Sequence, residues 1–130
     1  MSEYSGRNII VIERDRHVRE LLVEFLGSAG YALQLFDEGV TALAAVRSQP
    51  PALVILEILV PKLDGLTLCR AIKLAPATSD IPVLVLSVLN ASDRAHLAGA
   101  DGFMLKPIEQ RRLLATVERL TSPTRQGARL

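Results

Sequence analysis

Two apolar patterns take turns along this chain. Ile9-Ile10-Val11-Ile12 is an unbroken β-branched run that ends at Glu13. Val18, Leu21, Leu22, Phe25, Leu26 and Ala29 then fall at helical spacing, and Gly30 stops that helix. Tyr31 to Phe36 alternates, as a less buried strand does. Asp37 is placed to cap a second helix with Val40, Leu43, Ala44 and Ala45 as its apolar face, and Pro50-Pro51 ends it. Leu53 to Leu56 is the second continuous run, ending at Glu57, and a loop with Pro61 leads to Asp64-Gly65 and a helix through about Leu74. Pro82 introduces Val83 to Leu86, ending at Ser87. Residues 91–98 form a short helix closed by Gly99, Gly102 to Leu105 is a last strand ending at Lys106-Pro107, and the final helix carries Leu113, Leu114, Val117 and Leu120.

Five strands alternating with five helices predict an α/β fold of right-handed crossovers, with a parallel sheet covered on both faces. Strands buried on both faces read as continuous apolar runs, as three of these do. In such sheets chemistry gathers at the carboxyl ends of the strands. Four strands end there in Glu13, Glu57, Ser87 and Lys106, with Arg14 and Asp15 directly after the first. A carboxylate inside an apolar stretch such as ALVILEILV is costly unless it is paired, so Glu57 belongs at the rim of the sheet with cations in reach.

Bulk properties narrow the setting. The 130 residues suit one core, 49% of them are hydrophobic, and 15 basic against 14 acidic residues leave a net charge of +1. That balance offers no field for nucleic acid or an anionic membrane. The lone Cys69 forms no internal disulfide, and it reads as core packing. MSEYSGRN is not a secretory leader, and no apolar run is long enough to span a bilayer. The expectation is a cytoplasmic domain over residues 1–122, with 123–130 as a polar tail or the start of a linker.

The order of these motifs resembles the receiver domain of two-component response regulators (the CheY-like family), from about Arg7 to Leu120. The likeness places Glu13 and Arg14 at the family's acidic pair and Glu57 at its phosphoacceptor aspartate. Pro61 and Asp64-Gly65 follow as the family's loop motif. Ser87 takes the place of the switch hydroxyl, Phe103 that of the switch aromatic, and Lys106-Pro107 the Lys-Pro pair. It implies a doubly wound, flavodoxin-like sheet of order 2-1-3-4-5 and a cis bond before Pro107.

Three departures accompany the likeness: Glu57 stands where the family has Asp, Arg14 replaces the second acid, and the stretch from Ser87 to Lys106 is about one helical turn short. The family's pocket holds three carboxylates against one lysine and binds Mg²⁺. Here Glu13 and Glu57 face Arg14 and Lys106, so no charge deficit is left for a dication and no metal or other cofactor is expected. The extra methylene of Glu57 moves its carboxylate out by about one C–C bond, which spoils in-line phosphoryl transfer. The resulting expectation is a non-enzymatic pseudo-receiver held in one state by a Glu57–Lys106–Arg14 network, with Ser87 hydrogen-bonded to Glu57 and Phe103 buried. Arg14 pointing to solvent instead is the alternative arrangement.

Such a module acts through a protein partner or a homodimer, with no direct contact to nucleic acid or membrane. Arg111, Arg112, Glu118 and Arg119 offer a polar contact face on the last helix, and Arg14, Arg16 and Arg19 a basic one on the first. A working phospho-receiver is the competing function. A flavodoxin-like nucleotide binder is disfavoured because the loop ERDR after the first strand has no glycine to cradle phosphate. His17 and His96 have no second ligand at metal spacing and read as solvated.

Overall fold

The computed structural model describes residues 7–122. Ten elements follow one another: β1 (Asn8–Ile12), α1 (Arg16–Ser28), β2 (Ala32–Phe36), α2 (Gly39–Ser48), β3 (Leu53–Leu56), α3 (Gly65–Leu74), β4 (Val83–Ser87), α4 (Ser92–Leu97), β5 (Gly102–Leu105) and α5 (Gln110–Thr121). The five strands form one parallel sheet in the order β2-β1-β3-β4-β5, as expected.

Successive side chains of a strand point to opposite faces, so each apolar run feeds two cores. Ile10, Ile12, Val54, Leu56, Val83 and Val85 pack under α2, α3 and α4 against Ala42, Val46, Leu68, Ile72 and Ala95. Ile9, Val11, Leu53, Ile55, Leu84 and Leu86 pack under α1 and α5 against Leu22, Leu26, Leu113, Val117 and Leu120. Cys69 is buried in the first of these layers, its Sγ 3.5 Å from the Ala98 carbonyl oxygen, and burial pushes its thiol up to about 11.

Asp15 caps α1 by accepting from the His17 and Val18 amides, and Asp64 caps α3 from Leu66 and Thr67. The cap of α2 is Glu38, not Asp37: its carboxylate accepts from the Val40 and Thr41 amides and the Thr41 hydroxyl. The buried face of that helix is also rotated in part from the expected one: Leu43 and Ala45 pack against the core, while Ala44 is exposed. Gly39, Ala42 and Val46 face inward, while Val40 is 53% exposed. Gly39 sets this rotation, because a Cβ there would lie 2.2 Å from the Leu63 carbonyl oxygen. α4 has the expected shortness, with six residues and no side-chain cap. At the opposite edge of the sheet from the strand carboxyl ends, the Lys73 ammonium donates to Asp101 Oδ2 and to the Ile81 carbonyl, both at 2.9 Å. The proposed tail, 123–130, lies outside the described residues.

Candidate functional site

The strand ends meet where the alternation of apolar runs and helices places them. β1 and β3 are paired neighbours, so Glu13 and Glu57 leave the sheet side by side. The Glu57 amide donates to Ile12 (2.9 Å) and the Glu13 amide to Phe36 (2.9 Å), which continues the ladder one step past each strand. Both side chains are nearly closed to solvent, at 3% exposure for each residue. Lys106 arrives from the end of β5, just before the cis Lys106-Pro107 bond.

A single ammonium joins the two carboxylates. Lys106 Nζ lies 2.6 Å from Glu13 Oε1 and 2.9 Å from Glu57 Oε1. The remaining oxygens are also engaged. Glu13 Oε2 accepts from the Asp15 amide at 3.0 Å. Glu57 Oε2 accepts from the Ser87 hydroxyl and from the Leu59 amide at 3.2 Å. The Val88 amide adds a 3.3 Å bond to Glu57 Oε1. Burial alone would raise the Glu57 pKa. Hydrogen bonds from Lys106, Ser87 and Leu59, with the Lys106 charge, outweigh it and hold the carboxyl below its ordinary value. For Lys106, burial alone would lower the pKa, and the two carboxylates more than offset that and raise it.

Arg14 is not part of this network. It is exposed and makes no ion pair or side-chain hydrogen bond among the described residues, so the arrangement that points it to solvent is the one found, and the buried cup sets two carboxylates against one ammonium in place of the expected charge balance. The reason is geometric: one ammonium already satisfies both carboxylates, and a guanidinium on a strand-end loop keeps its hydration by staying at the rim. Arg14 and Asp15 line the mouth of an open cleft of about 330 Å³ above Glu13, Glu57 and Lys106, with Leu59 and Val88. Phe103 is half-buried, not buried as expected, and packs against the layer under α2, α3 and α4. Pro107 is exposed beside the site, and His17 and His96 are exposed and do not line the cleft.

Sequence reasoning missed two kinds of contact. Glu13 and Glu57 each accept from the backbone amide two residues on, the same local loop bond at both strand ends. A glutamate that closes a strand and opens a loop is the signal for it. Arg19, read as part of an exposed basic face, instead donates to the Glu13 carbonyl at 2.8 Å.

The resemblance implies a Mg²⁺ site, and these residues do not fit one. The ammonium occupies the space between Glu13 and Glu57, the two buried carboxylates among the described residues, and all four of their oxygens already accept hydrogen bonds. Asp15, the third carboxylate nearby, spends Oδ1 on capping α1. No group of three or more His, Cys, Asp or Glu residues suited to an ion occurs among the described residues.

The family model of the response regulator receiver domain matches residues 9–118. The chain belongs to that family. This receiver domain is 40% identical over 121 residues to the response regulator MprA of Mycobacterium sp. (strain KMS), a match covering 88% of the chain and 52% of that protein. The chain therefore spans about half the length of the curated relatives it matches. Among solved structures, the receiver domain superposes on a candidate response regulator from Chloroflexus aurantiacus with a TM-score of 0.86 at 28% identity, covering 89% of this chain and 98% of that one. It also superposes on the signal receiver domain of a signal transduction histidine kinase from Syntrophus aciditrophicus, with a TM-score of 0.84 at 32% identity over 89% and 90% of the two chains. No helix among the described residues of the receiver domain is long and apolar enough to cross a membrane.

Proposed function

We propose that this receiver domain is a non-enzymatic pseudo-receiver, held in one state by its own side chains, that signals by binding a protein partner without being phosphorylated. The observation that carries this reading is the Lys106 ammonium seated between Glu13 and Glu57, at 2.6 and 2.9 Å. In the family, the serine and lysine at these positions respond to a phosphoryl group on the acceptor. Here Ser87 and Lys106 already converge on the carboxylate of Glu57. The longer side chain supplies negative charge near where the phosphoryl group would sit, and Phe103 packs inward without a hydroxyl to satisfy.

A working phospho-receiver is the alternative. It would have to recruit Asp15 as a metal ligand, take Glu13 from Lys106, and use a glutamate whose oxygens are all engaged.

Incubation with acetyl phosphate and Mg²⁺, read by intact-protein mass, tests the proposal. The native chain is expected to keep its mass, and Arg14→Asp/Glu57→Asp, which restores the family's acids, is expected to gain a phosphoryl group. A phosphorylated native chain would overturn the proposal.

A further inference from the structure

A second concavity opens beside the cup, between the loop after β3 and the start of α4. It is an open groove of about 460 Å³ with an apolar floor that includes Leu59, Val60, Pro61, Leu66 and Leu89. Arg14 and Arg94 also line it. Neither guanidinium makes an ion pair or a side-chain hydrogen bond among the described residues. The one carboxylate of the lining, Asp64, is committed to α3: Oδ1 accepts from the Leu66 and Thr67 amides, and Oδ2 from the Thr67 hydroxyl at 2.8 Å. The groove thus presents apolar surface under two unspent positive charges. Leu59 stands 49% exposed within it.

We infer that this groove docks a short peptide segment of a partner protein in which acidic residues flank an apolar run. Apolar side chains of the segment cover Leu59, Leu66 and Leu89, and its carboxylates pair with Arg14 and Arg94, whose planar forks suit bidentate contact. Charge decides among the occupants. Residues 123–130 of the chain carry Arg125 and Arg129 and no Asp or Glu, so like charge disfavours them. So open a groove also leaves too much of a small molecule in water, since small-ligand sites bury most of their ligand. The inference rests on the reading of the domain as a protein-binding module and names the partner's chemistry.

Selection of a random phage-displayed peptide library on the full chain tests it. Enriched peptides are expected to combine Asp or Glu with Leu, Val or Phe. As labelled synthetic peptides read by anisotropy, they are expected to lose about tenfold in affinity on Arg14→Glu or Arg94→Glu. Changing the peptide's acid to Lys should restore part of that loss. Both arginines are exposed, and circular dichroism checks that the variants fold. Basic or uncharged consensus sequences, or no enrichment, would overturn the inference. So would native self-association that Arg94→Glu abolishes, which would make the occupant a second copy. Peptides that bind native and Arg94→Glu chains alike would move the docking surface elsewhere and leave the module reading intact. Uptake of phosphate from acetyl phosphate would do the reverse.

Discussion

Glu57 and Arg14 show how far single residues can be read in advance. The chain order of Glu13, Glu57, Ser87 and Lys106 was enough to place them at one sheet edge, and they meet there. The direction of Arg14 was not legible, because a long side chain on a loop chooses between pairing and hydration by margins a sequence does not display. The two cations now make opposite predictions. Lys106→Met leaves two buried carboxylates facing each other and is expected to cost about 3–5 kcal/mol at neutral pH. Arg14→Gln is expected to stay within about 0.5 kcal/mol of native. Urea unfolding of both variants checks the pair. An Arg14→Gln loss as large as that of Lys106→Met would put the guanidinium back in the network.

Elements depended on a different kind of information. Strand positions were plain, since unbroken β-branched runs have few other uses. α2 was less so: Val40, Ala42, Leu43, Ala44, Ala45 and Val46 make it apolar nearly all round, so several rotations look equally good. The one found is set by the close approach of Gly39 to the Leu63 backbone. Gly65 plays the same part for α3 and is coupled to the site. A Cβ there would lie 2.4 Å from the Glu57 carbonyl oxygen and 2.7 Å from Ile58 Cα, both backbone atoms that cannot swing aside. Gly65→Ala is expected to destabilise the domain by about 1–3 kcal/mol and to displace Glu57 from Lys106. The urea midpoint reads the first effect. A loss of the acid-side sensitivity that Glu57 confers reads the second.

That sensitivity belongs to the molecule as a whole, because Glu13, Glu57 and Lys106 come from three parts of the chain and meet only in the folded state. Glu57 is held below its ordinary pKa on folding, so its contribution to stability is complete above about pH 4.3, the ordinary value for Glu, and fades as pH falls through its lower folded value. Lys106 is raised, so its contribution is complete below about pH 10.4 and fades as pH climbs through its higher folded value. Urea unfolding across pH should therefore show a broad plateau, with an acid limb to which the likewise lowered Asp64 and Glu38 also contribute and which Glu57→Gln makes shallower. An acid limb unchanged in that variant would remove Glu57 as one of its sources. The tie from the end of β5 to the ends of β3 and β1 has a further consequence if it holds throughout the protein's life. On the proposed phosphorylation-independent reading, a covalent mark has nothing to move there, and the dose of the domain, set by synthesis and turnover, is the quantity a partner would read.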